Sequence, residues 1–191
     1  MSDNVNPADN SGLHAFVFID HAPHGMTTRE VVDNLRRMAR PPDGPMYFAS
    51  EFVGDFAAFA HVWPEDENDL FGLQDLIAGP LWEAWVHCQF TPEVATAPGG
   101  KGTKRGTREI VGLSKLKVEH GALTDVLGAL EGSLPETFKG ASVVFADFDI
   151  VLQLGAKDYT TVAAAAYGPL QRIPGIVRTN TAFADTRRYR D

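Results

Sequence analysis

Three imidazoles and a carboxylate are the first groups in this chain able to do chemistry. Asp20, His21 and His24 fall in one short loop, and His61 lies on a segment expected to run beside it. Such a set can hold a transition metal, and three protein ligands with one open position make a catalytic centre. The spacing matches no strong ligand signature, however, and later in the chain only His120 echoes it. Loop histidines are more often solvated titrating groups than ligands. No metal and no other cofactor is therefore expected.

Two further candidates fail on geometry. Cys88 is the single cysteine, and a nucleophilic thiol needs a lowered pKa and a nearby base. On a strand, the adjacent His87 points to the opposite face, so Cys88 reads as a small core residue. The stretch Gly99-Gly100-Lys101-Gly102-Thr103-Lys104 suggests phosphate binding. It lacks the phosphate-loop spacing, with no strand before it and no helix after it. No catalytic residue is assigned.

The bulk properties narrow the class. The chain has 191 residues, 44% hydrophobic and 22% charged, with a net charge of −8. That length can bury a substantial core, and the acidic balance argues against nucleic-acid binding, which needs concentrated Lys and Arg. One cysteine excludes an internal disulfide and suits a reducing compartment. No apolar run reaches membrane-spanning length, and the polar, acidic first ten residues do not resemble a signal peptide. A cytoplasmic protein without a membrane partner is expected.

The chain also repeats itself. Gly54-Asp55-Phe56 followed by Gly79-Pro80-Leu81 is matched by Ala146-Asp147-Phe148 followed by Gly168-Pro169-Leu170. Upstream, His24-Gly25 precedes Val31, Val32 and Leu35, as His120-Gly121 precedes Val126, Leu127 and Leu130. Landmarks in the same order at nearly constant offset indicate a duplicated unit whose copies pack together. Residues 1–12 read as a disordered tail, 13–91 as the first repeat, 92–108 as a Gly/Pro-rich basic linker, 109–185 as the second repeat and 186–191 as a basic tail.

Within each repeat the periodicity predicts strand, helix, strand, strand, helix, strand. In the first, residues 13–19 and 46–53 are dense in β-branched and aromatic side chains, as are 56–63 and 85–90. Thr27 and Thr28 can cap a helix carrying Glu30 in its first turn, with Val31, Val32, Leu35 and Met38 on one face. Leu70, Leu73, Leu76 and Ile77 mark a second helix. In the second repeat, strands are predicted over 110–118, 141–145, 148–154 and 176–183, and helices over 122–134 and 159–170. Right-handed crossovers then fold each copy into a four-stranded antiparallel sheet with both helices on one face. The other face keeps Phe16, Phe18, Phe52, Phe59 or His61, and Val86, and must meet a second sheet. The predicted fold is α+β: tandem ferredoxin-like βαββαβ repeats with antiparallel sheets face to face, a dimeric α/β barrel.

The second repeat resembles a known family. Leu116-Lys117-Val118-Glu119-His120-Gly121-Ala122-Leu123, then Phe145 to Leu152, then Ile173-Pro174-Gly175-Ile176-Val177-Arg178-Thr179 is similar to the effector-binding domain of Lrp/AsnC regulators. The winged helix-turn-helix that precedes that domain has no counterpart here. The resemblance implies a stand-alone effector-binding module that senses a small metabolite, an amino acid for instance, and assembles into homo-oligomers. It implies a ligand site at the hairpins, at Gly54, Asp55 and Phe56 and at Ala146, Asp147, Phe148 and Asp149. Backbone N–H groups would take a carboxylate there, and Asp147 or Asp149 an ammonium. The first copy departs from the pattern, with Ala57 in the place of Asp149. The alternative is a dimeric α/β barrel enzyme, a cofactor-independent oxygenase or a haem-handling protein, with Trp63, Trp82, Trp85 and the phenylalanines lining an aromatic cavity.

Overall fold

The computed structural model describes residues 15–22, 25–38, 46–62, 88–96 and 110–185. The elements of the first repeat are β1 (Ala15–Ile19), α1 (Thr28–Met38), β2 (Met46–Glu51), β3 (Val53–Gly54), β4 (Ala58–Val62) and β5 (Cys88–Thr96). Those of the second are β6 (Ile110–Val118), α2 (Leu123–Ser133), β7 (Phe138–Val144), β8 (Ile150–Ala156), α3 (Tyr159–Tyr167), a 3-10 turn at Leu170–Arg172 and β9 (Ile176–Asp185). The predicted second helix of the first repeat, His24, Val86, the three tryptophans and both tails lie outside the described residues.

Local chemistry accounts for the starts of α1 and α3, whereas α2 begins after Ala122 with no side-chain cap. Thr27 and Glu30 form a reciprocal capping box. The Thr27 hydroxyl accepts from the Glu30 N–H at 3.2 Å, and the Glu30 carboxylate accepts from the Thr27 N–H at 2.7 Å. Two otherwise orphaned donors are satisfied at once. Asp158 caps α3, accepting from the Thr161 N–H at 2.9 Å. Both carboxyls titrate below their ordinary values, each chiefly because a backbone N–H, that of Thr27 or Thr161, donates to the ionised form.

The strand order is β2-β4-β1-β5-β7-β8-β6-β9-β3, all neighbours antiparallel. Within it, β5-β1-β4-β2 and β9-β6-β8-β7 are two copies of the ferredoxin-like arrangement. The two ends of that order, β2 and β3, are consecutive in the chain and separated only by Phe52. The edges therefore meet, and the sheet closes into a barrel within one chain. Closure removes the free edges that either half would expose alone.

Two strands make the seams, and here the structure corrects the sequence reading. The predicted first hairpin is not one ladder: the chain leaves β4 after Glu51, and β3 pairs with β9 instead, Val53 opposite Phe183 and Gly54 opposite Ala182. The predicted strand over 85–90 is observed as Cys88–Thr96, so residues 92–96, assigned to the linker, are strand. This length lets β5 pair β1 through Cys88–Pro92 and β7 through Glu93–Thr96. Pattern within 92–96 is weak because the strand follows from its two partners, not from its own residues.

Alternation sorts the side chains into three cores. Phe16, Phe18, Phe52, Phe56, Phe59, Val111, Leu113, Val144, Phe148, Val151, Ala182 and Ala184 fill the barrel. Val17, Ile19, Ala58 and Ala60 face the other way, onto Val31, Val32 and Leu35 of α1. In the second half, Leu116, Ile150, Leu152 and Leu154 pack beneath Val126, Leu130, Val162 and Ala166 of α2 and α3. The predicted shared sheet face of Phe16, Phe18, Phe52 and Phe59 is thus the barrel interior.

Candidate functional site at the barrel mouth

The two hairpin regions named from sequence arrive at the same end of the barrel, related by the duplication. The Ala57 N–H donates to Ile19 O, and the Asp149 N–H donates to Leu116 O, both at 2.8 Å. These matched bonds make Phe56 equivalent to Phe148, and Phe18 equivalent to Lys115. The four side chains meet at the internal two-fold. Phe18 lies edge-on to Phe56 at 5.1 Å and to Phe148 at 5.5 Å between ring centroids. The Lys115 Nζ stands 5.1 Å from the Phe18 ring centroid, 5.5 Å from that of Phe56 and 5.7 Å from that of Phe148.

Each predicted site residue has a definite place. Phe56 and Phe148 are buried in the barrel core. Gly54, with φ +136°, sits against the Thr181 carbonyl in the seam. Asp55 is exposed and Ala146 half-buried. Asp147 is exposed and lies 3.8 Å from Arg178. Asp149 accepts from the Val118 N–H at 2.8 Å and pairs with Lys117 at 3.1 Å, tying the β7–β8 turn to the end of β6. Ala57 cannot make the equivalent tie. Thus only Asp55 and Asp147 of the seven present exposed side chains capable of meeting a ligand's charge.

Lys115 is the group that sequence reading missed. Its side chain is 14% exposed, and the nearest carboxylate, Asp20, stands 4.0 Å away and is 34% exposed. Ring faces at this range attract an ammonium group through their quadrupoles. The available signal was alternation: Leu113 and Lys115 share a strand face, so a lysine continues an interior apolar row. Further out, Lys117–Asp149 and Arg178–Asp147 complete a rim of ion pairs.

The described members of the histidine set point different ways: Asp20 faces Lys115, His21 is exposed, and the His61 ring is tilted against Phe16 at 4.6 Å between ring centroids. Among the described residues no three His, Cys, Asp or Glu side chains stand close enough to share a metal ion. No described helix is long and apolar enough to cross a membrane.

No family model matches the sequence, and no curated protein matches it. Solved structures do. Chlorite dismutase from Candidatus Nitrospira defluvii in complex with imidazole superposes with a TM-score of 0.60 at 11% identity, covering 93% of each chain. An anthrone oxidase-like protein gives 0.57 at 10% identity, covering 92% of each chain. The shared fold is the dimeric α/β barrel, with both repeats matched. Nothing in these comparisons supports the Lrp/AsnC affiliation.

A haem group, raised by the sequence reading, does not fit between the sheet and α3 of the described second half. A Cβ on Gly112 would lie 2.8 Å from Val162 Cγ1, and Leu116, Ile150, Leu152 and Leu154 are fully buried beneath the helices. Such contact leaves no slot for a planar macrocycle. Of the described histidines, His61 is on the barrel side, and His21 and His120 are in exposed turns.

Proposed function

We propose that this chain is a dimeric α/β barrel enzyme of the kind that works without haem, rather than an effector sensor. The observation that carries the reading is whole-chain likeness: both repeats, closed into one barrel, correspond along 92% of each chain to an anthrone oxidase-like protein. Chlorite dismutase matches over 93% of each chain, so the choice of haem-free chemistry rests on the close packing of Gly112 against Val162. In that chemistry a weakly acidic organic substrate loses a proton to a protein base, its carbanion reduces dioxygen and joins it in a carbon–oxygen bond as a peroxide, and loss of water leaves a carbonyl.

The test is oxygen uptake by protein freed of metal and haem, across a panel of enolisable aromatic ketones and phenols, with a haemin titration alongside. Turnover by the haem-free protein is the expected result. Stoichiometric haemin uptake with a shifted Soret band, and oxygen uptake only afterwards, would replace this reading with a haem-dependent one. Stabilisation by amino acids without oxygen uptake would restore the effector module.

A further inference from the structure

The Lys115 ammonium is a charged group built into an apolar wall, yet its donors are unused. Its side chain is 86% buried by difference from the 14% exposed, while Asp20 at 4.0 Å is beyond hydrogen-bond range. Among the described residues it makes no hydrogen bond. Phe18, Phe56 and Phe148 attract it but accept no conventional hydrogen bond. On β9 the residue opposite Lys115 is Asn180. Asn180 shares the inward strand face with Ala182 and Ala184, is half-buried, and likewise makes no side-chain hydrogen bond among the described residues. The mouth thus carries an ammonium and a carboxamide side by side, both able to donate.

We propose that Lys115 and Asn180 form a binding site for a small carboxylate at the barrel mouth, with Asp20 as a displaceable counter-ion. One carboxylate oxygen takes the Lys115 ammonium and the other the Asn180 amide, while the apolar part of the ligand stays outside the filled barrel. A charge-assisted hydrogen bond at ordinary length outcompetes a loose ion pair at 4.0 Å. Asp20 is exposed enough to turn into water when the ligand enters. The proposal concerns binding alone, so it stands or falls independently of whether the chain turns over a substrate.

The assay is calorimetric titration of the full chain at about pH 7 with benzoate, and with benzamide as the neutral control. Benzoate should bind, more weakly as ionic strength rises, and benzamide should bind at least tenfold more weakly, roughly the value of a charge-assisted hydrogen bond. Lys115→Met should weaken benzoate by about tenfold or more and leave benzamide unchanged. Asp20→Asn should tighten benzoate by roughly two- to fivefold, because it removes the competing carboxylate. That opposite sign is not expected of a purely structural ion pair, and Asp20→Asn keeps the test usable should Lys115→Met fold poorly. No benzoate binding at millimolar concentration, equal affinity in Lys115→Met, or weaker affinity in Asp20→Asn would each overturn the assignment.

Discussion

Gly54→Ala is the sharpest test of barrel closure. Gly54 is one of the two residues of β3, which joins the first repeat to β9 of the second. Its φ of +136° is a conformation that L side chains rarely adopt, and an added Cβ would lie 2.7 Å from Thr181 O and 3.0 Å from Ala182 Cα. Both obstacles are backbone, so no rotamer change relieves them. Backbone strain contributes about 1–3 kcal/mol and steric overpacking about 1–3 kcal/mol more. For a chain of this size each kcal/mol lowers Tm by about 2–4 °C, so the variant should melt roughly 4–24 °C lower. Gly25→Ala supplies the control, because Gly25 has φ +87° and nothing within 4 Å of its would-be Cβ. That variant carries strain alone, about 1–2 kcal/mol. Calorimetric melting of the two variants isolates the contact, and hydrogen exchange should show β3 and β9 amides opening earlier in Gly54→Ala. Equal melting points would refute the argument that the barrel closes through this contact.

Two other perturbations read separate parts of the structure. Asp149→Ala orphans the Val118 N–H, and should cost about 1–3 kcal/mol in urea unfolding, whereas Asp149→Asn keeps an acceptor there and loses only the half-exposed Lys117 pair, about 0–1 kcal/mol; equal losses would contradict the role given to the N–H bond. The Thr27 N–H, donating to the ionised carboxylate, holds the Glu30 pKa below its ordinary value of 4.5. Its stabilisation is therefore present above that value and lost as pH falls through the lower folded pKa. Glu30→Gln should accordingly lower Tm most at neutral pH, with the gap to the parent closing as pH falls below 4.5; a gap that widens in acid would reverse the sign and refute the capping-box account.

Much of the fold was legible in local pattern. β6 was predicted over residues 110–118 and is observed as Ile110–Val118, because alternation and β-branching mark a strand wherever its partners lie. The α1 start was legible because Thr27 and Glu30 satisfy each other within one turn. The duplication implied two sheets with apolar undersides, and the phenylalanines on those undersides are the barrel core. Tertiary structure decided the rest. The division of β2 from β3 and the run of β5 to Thr96 exist because strands far along the chain offer free edges there, which no local pattern records. The hairpin residues were visible as turns, but only packing turned Phe56 and Phe148 inward and gave the Asp149 carboxylate to Val118. Lys115 was one charge among seventeen Lys and Arg. Its place over three rings follows from bringing β1, β6 and both hairpins to one end of a closed barrel, a convergence of distant segments that sequence spacing does not encode.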